Sequence, residues 1–268
     1  MMIGTDNLFN FAGVMLLGAW LLRTSLGRTA LAGAPVRRIN MSPFLLLAAL
    51  FLWQGPPAIV VRLAAPILTG LPEWMSWLVR NLVMSAGAFV AATGFCVLAW
   101  YTFARRLLGL GLGIRHLGRD FVQALVILFC IMPVILVAIV TMQYLGEYFN
   151  GPDYKVGQHQ ELEVLASHPQ TSLKISVAIV AVLAAPLVEE LLFRGLLQTL
   201  IRSYIGRPWV SVILTSMLFA VVHEDYAHWP ALFVLSLAIG YAYEKSGSLW
   251  QSLFMHAMFN GMSVAALM

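Results

Sequence analysis

Residues 121–145 read FVQALVILFCIMPVILVAIVTMQYL, a run without one charged side chain. A helix needs about 17–25 mainly apolar residues to cross a bilayer, so Phe121–Leu145 predicts a transmembrane helix. Working outward, seven further apolar runs carry the same signal: Leu8–Leu22, Phe44–Leu68, Leu78–Phe103, Leu173–Leu200, Trp209–His223, Ala231–Tyr243 and Leu249–Leu267. The first, sixth and seventh are short for a span. The pattern predicts an all-α, polytopic helical membrane protein with about eight transmembrane helices.

Composition agrees. Of 268 residues, 60% are hydrophobic and only 10% charged, against about 45–50% and about 25% in an ordinary soluble domain. This excludes a disordered chain, a soluble enzyme and a nucleic-acid-binding module with a broad basic face. The two cysteines, Cys96 and Cys130, lie inside apolar runs, so neither a disulfide framework nor a cysteine zinc site is indicated.

The placement of charge says more than its net value of +4. Arg23, Arg28, Arg37 and Arg38 separate the first two runs, and Arg105, Arg106, Arg115 and Arg119 separate the third and fourth. Arg202 and Arg207 follow the fifth, and Lys245 follows the seventh. The alternate segments hold Asp6, Glu73, Glu161, Glu163, Glu224 and Asp225. Positive loops stay cytoplasmic, so both termini are expected outside the cytoplasm. Short loops favour a prokaryotic inner membrane. The first run, with Asp6 before it and Arg23 after it, reads as an uncleaved anchor. Arg62 and Arg80 lie near span ends, where long stems carry the guanidinium to the interface. His159 and His168 in the polar 147–172 segment read as solvated loop histidines.

Ionisable groups placed deep in a bilayer cost several kcal/mol and mark sites by default. Three places qualify. In Pro186-Leu-Val-Glu-Glu-Leu-Leu-Phe-Arg-Gly195, Glu189 and Glu190 are neighbours about 100° apart on a helix and cannot share a face. Arg194 follows Glu190 by four residues, the spacing of an ion pair. Glu189 is thereby left for a cavity or another helix, where desolvation suits a carboxylate to general-base work. Pro186 removes one helical hydrogen bond just upstream. The second place is Phe219–His223, with both side chains on one face; the third is His256–Asn260, again four apart. Each has a bland alternative: a structural Glu–Arg pair, a satisfied helix-end histidine, interhelical packing by hydrogen bonds. Counted from the Arg-rich helix ends, all three fall roughly 10–20 Å below that face, a coincidence of depth that packing alone does not require.

E-E-x-x-x-R at Glu189–Arg194, F-x-x-x-H at Phe219–His223 and H-x-x-x-N at His256–Asn260 resemble the three motifs of the CAAX protease and bacteriocin-processing family. That family includes type II CAAX prenyl endopeptidases and the bacterial proteins sometimes labelled Abi. The resemblance covers about Val177–Met268. It implies two parts: 1–172, with four transmembrane helices and an external loop, and 173–268, a catalytic transmembrane core. It implies an intramembrane endopeptidase in which Glu189 and His223 activate a water, His256 and Asn260 form an oxyanion hole, and Glu190 with Arg194 orients the site. Implied partners are the lipid bilayer and a peptide or membrane-protein substrate, lipidated or not, and no nucleic acid. A zinc helix would read H-E-x-x-H, which this chain lacks, so a glutamate-type hydrolase without cofactor is favoured over a zinc metalloprotease. The competing readings are a non-catalytic membrane scaffold or bacteriocin-immunity protein, and a proton-coupled transporter.

Overall fold

The computed structural model describes residues 5–35, 39–157, 160–223 and 225–267. Arg37, Arg38, His159 and Glu224 lie outside the described residues, as do the side chains of Asp6 and Glu161. Every apolar run falls on a helix. In chain order these are α1 (Thr5–Arg23), α2 (Pro43–Leu68), α3 (Glu73–Thr102) and α4 (Leu117–Asn150). A short α5 (Gln160–Ser167) precedes the long helical column α6 (Thr171–Ile205). Then follow α7 (Pro208–Val221), α8 (Trp229–Ser246) and α9 (Leu249–Ala265). Among the described residues there is no strand, only an isolated bridge between Ile39 and Phe103.

Three helical stretches are long and apolar enough to cross a membrane: Glu73–Thr102, Ile114–Asn150 and Thr171–Ile205. Of the other apolar helices, α7, α8 and α9 fall short of that standard by length or charge. The 14 residues of α7 rise about 21 Å, against about 30 Å of hydrocarbon, and α8 ends in Glu244 and Lys245. The protein is thus an all-helical membrane protein in which three helices among the described residues are clearly able to span, a coarser result than the eight crossings read from the sequence.

Burial is inverted relative to a water-soluble bundle. Leu63, Phe89, Val137 and Leu183 are exposed, while Glu190, Arg194, Gln198, Thr199, Ser236, Glu244 and His256 are buried. Apolar side chains facing outward gain nothing from burial when the surroundings are lipid, whereas polar ones must find partners inside. Arg62 and Arg80 are both exposed, and Arg80 lies over the Trp77 ring at 5.7 Å. His168 caps locally, its Nδ1 2.9 Å from Ser167 Oγ.

The polar residues set the helix register. Arg194 meets Ser236, Gln198 meets the Gly240 carbonyl and Glu244, and Arg202 meets Glu244. The first residues of these pairs step by four along α6, and the partners step by four along α8. Their common offset of 42 requires the two helices to run parallel, with α7 returning between them. Gly240 permits the approach: a Cβ there would stand 2.9 Å from Gln198 Oε1.

The N-terminal helices pack on this core through apolar clusters, Phe95 and Ala99 of α3 against Leu192 and Leu196, and Leu128 and Ile135 of α4 against Leu235 and Ile239. Gly13 on α1 faces the α4 backbone beside Pro133, where a Cβ would come 2.9 Å from Phe129 O; small residues let membrane helices close to such distances. At the Arg-rich end, Trp209 donates to Gly27 O, and Trp20 donates to Tyr241. The connection between α3 and α4 is stapled to the α8–α9 turn by Leu249 N donating to Gly111 O at 3.0 Å.

Gly111 has φ +83°, and a Cβ there would collide with the Gly247 carbonyl oxygen. Gly111→Ala is therefore expected to cost at least about 2 kcal/mol, from left-handed backbone strain plus the clash. Gly113→Ala is the control, because φ there is −67° and nothing lies within 4 Å. Thermal unfolding in detergent should show a lowered Tm for the first variant and an unchanged one for the second.

Candidate active site

The site is built on α6, which is not a regular α-helix. Val180–Ala184 and Leu191–Gln198 are π-helical and bracket the α-helical Ala185–Glu190. The first widened turn sits directly ahead of Pro186, which has no N–H to close an α-helical bond. The second contains Gly195. Widened turns are rare, occur mostly at functional sites and displace carbonyls from the regular ladder. Two of these carbonyls have side-chain partners: Asn260 Nδ2 donates to Ala181 O at 2.8 Å, and Thr199 Oγ1 donates to Arg194 O at 3.1 Å. The bracketed turn thus presents Glu189 and Glu190 in different directions while the column stays hydrogen-bonded.

Glu190 and Arg194 are completely buried, with Arg194 Nη1 2.9 Å from Glu190 Oε1. The same carboxylate oxygen receives His256 Nδ1 at 2.8 Å. Arg194 Nη2 donates to Ser236 Oγ at 2.7 Å and to Ser236 O at 3.2 Å. Its guanidinium lies 4.8 Å from the centre of the Phe219 ring, close enough for a cation–π contact. Phe219 also touches His223 at 4.8 Å and His256 at 5.7 Å between ring centres. All three sequence motifs therefore meet on one phenyl ring. Glu189 Oε2 stands 3.9 Å from His256 Nε2, on the side of the ring away from Glu190.

Partner chemistry fixes which nitrogens carry hydrogen. A carbonyl oxygen only accepts, so His223 Nδ1, 2.7 Å from Phe219 O, is the donor. The neutral ring then keeps its lone pair on Nε2. Trp229 Nε1 donates to His223 O and holds this helix end in place. His256 Nδ1 likewise donates to the Glu190 carboxylate. Asn260 uses one amide hydrogen on Ala181 O and retains a second.

Exposure divides the six polar motif residues into two sets. Glu190, Arg194 and His256 are buried, whereas Glu189, His223 and Asn260 are partly exposed. The first set forms a closed ionic network; the second is reachable from outside it. Among the described residues, no three His, Cys, Asp or Glu side chains converge into a donor set for a metal ion.

Ser236 was not legible as part of this cluster. Its signal was the spacing Ser236–Gly240–Glu244, which repeats the Arg194–Gln198–Arg202 spacing on another helix. A sequence shows each stripe but not that the two face each other.

Fold and site together define an all-helical membrane protein with an ionised cluster sealed between its C-terminal helices. Residues 171–262 match the family described as Type II CAAX prenyl endopeptidase Rce1-like, and that stretch contains all six polar motif residues. The chain is therefore similar to the type II CAAX prenyl endopeptidases over about a third of its length. The chain is also similar to an "Uncharacterized 24.3 kDa protein" of Escherichia coli, with 27% identity over 125 residues, or 45% of this chain and 58% of that protein. The chain thus spans a little over half the length of that relative. No solved structure matches.

Arg194→Met removes one partner of a fully buried pair and leaves Glu190 uncompensated. The expected loss of stability is about 3–5 kcal/mol. Pairing Arg194→Met with Glu190→Gln should recover part of that loss. Detergent-phase unfolding of the two single variants and the double variant measures the coupling.

Proposed function

We propose that the protein is an intramembrane endopeptidase that cleaves a peptide bond with an activated water. The observation that carries the reading is the meeting of the three motifs on Phe219, with Glu189, His223 and Asn260 left reachable beside a sealed Glu190–Arg194–His256 network. In this mechanism a water is held between Glu189 and His223 Nε2. Its oxygen attacks the scissile carbonyl carbon while Glu189 takes its proton. Charge moves to the carbonyl oxygen, where the free amide hydrogen of Asn260 donates to it and the Nε2 edge of His256 stands beside it. When the tetrahedral intermediate collapses, the C–N bond breaks and Glu189 returns the proton to the leaving amine. Glu190 orients His256 from behind, and Arg194 fixes Glu190.

The proposed reaction is that of a glutamate-type hydrolase, with the bond-breaking groups all drawn from this chain. The substrate class is a peptide or membrane protein, lipidated or not. By the distribution of arginines, the end bearing Arg119, Arg202 and Lys245 faces the cytoplasm, with both termini on the opposite side of a prokaryotic inner membrane. One observation favours the second reading, a non-catalytic scaffold or immunity protein: Glu190, Arg194 and Asn260 all serve as interhelical fastenings.

The two readings diverge for Glu189→Gln, which removes the base but preserves shape. Wild type and variant brought to equal membrane levels should differ in the protein termini of their membrane proteomes, with a set of termini dependent on Glu189, while Tm is unchanged. Identical termini with an equally stable variant would favour the scaffold. Among termini so identified, cleavage by Asn260→Ala should slow about 10²–10³-fold, the effect of losing one oxyanion donor.

A further inference from the structure

On the Arg-rich end of the bundle, away from the ionic network, a cleft of about 500 Å³ opens between α4, α8 and the start of α9. Arg119 and Lys245 stand at its mouth, and Val122, Val126 and Ile127 form an apolar wall down α4. From Arg119 to Val126 is about 10 Å along the helix, so the cleft passes from a cationic rim into apolar surface. No carboxylate lines it among the described residues. The nearest one, Asp120, is buried and accepts a hydrogen bond from Ser248 Oγ at 2.6 Å.

A second observation comes from the bottom of the mouth. Gln251 lines the cleft and is 2% exposed, yet its Oε1 has no hydrogen-bond partner among the described residues. An amide buried in this way costs free energy unless something donates to it. Lys245 uses one hydrogen on Ala30 O at 2.7 Å and retains two; Arg119 is exposed, with only a long 3.5 Å contact to Asp120.

We propose that this cleft is a binding site for an anionic glycerophospholipid with a hydroxylated headgroup. The phosphate lies between Arg119 and Lys245, a headgroup hydroxyl donates to Gln251 Oε1, and an acyl chain follows Val122, Val126 and Ile127. Each part of the ligand answers one feature: two cations without a counter-charge in the cleft, an unmatched acceptor, and an apolar wall facing the hydrocarbon. Basic pockets between membrane helices recognise phospholipid headgroups by this combination. The bound lipid would brace α4, α8 and α9 at the foot of the helix that carries His256 and Asn260.

The test is thermal unfolding of the full-length protein in neutral detergent, titrated with dioleoyl phosphatidylglycerol, dioleoyl phosphatidylcholine or glycerol 3-phosphate. Phosphatidylglycerol should raise Tm saturably by several degrees, and the other two should not. Arg119→Gln with Lys245→Gln should move the midpoint of the titration at least tenfold higher. Val126→Trp, which blocks the apolar wall and leaves the cations in place, should do the same. Native mass spectrometry of the Val126→Trp protein gives the answer if the double variant does not fold: the wild type should retain phosphatidylglycerol and the variant should not. Equal stabilisation by phosphatidylcholine, an equal effect of glycerol 3-phosphate alone, or lipid retention unchanged in Val126→Trp would each overturn the proposal.

Discussion

The guanidinium of Arg194 is the constraint on which the C-terminal half is organised. A cation with no exposure, inside a bundle surrounded by lipid, is tolerated only with an opposing charge and hydrogen-bond acceptors held close to it. Glu190 supplies the opposing charge, Ser236 accepts twice through its hydroxyl and backbone carbonyl, and Phe219 offers its ring face. These partners come from three helices. Satisfying one side chain therefore fixes the rotation of α6, the height of α8 and the approach of α7, and the Gln198 and Arg202 contacts repeat the same registration one and two turns further on.

The chemistry depends on that rigidity. Neighbouring carboxylates on a regular helix diverge by about 100°, which is enough to give Glu189 and Glu190 different surroundings but not to hold them there. The two π-helical stretches isolate the turn that carries them, and Asn260 and Thr199 bind the carbonyls that these stretches displace. Asn260 thus links the helix of the imidazole to the helix of the carboxylates. The imidazole of His256, pinned by Glu190, brings its other nitrogen toward Glu189. Fixing the donors before reaction is what makes electrostatic stabilisation of a transition state effective, because no reorganisation is needed as charge develops.

The N-terminal helices serve a different purpose. Their exposed leucines, phenylalanines and valines form a surface suited to lipid, while the inner faces of α3 and α4 share buried apolar clusters with the C-terminal helices. Close approach at Gly13 and single hydrogen bonds from indoles hold α1, and Phe103 and Leu110 tie the α3–α4 connection into the main apolar cluster.

The sequence alone determined that this is a helical membrane protein, where its apolar helices lie, and which polar residues stand inside them. Apolar runs and four-residue spacings are local properties, and the Glu190–Arg194 contact is a consequence of helix geometry within a single turn. Ser236, by contrast, lies 42 residues from Arg194, and His256 lies 66 from Glu190. Nothing local distinguishes them from serines and histidines that merely pack. The π-helical turns were only hinted at by Pro186, because their cost is met by Asn260 and Thr199, side chains that reach across or along the column once it is folded. Tertiary packing decided which acid is sealed and which stays reachable, because burial of a charge is settled by the partners that arrive from other helices.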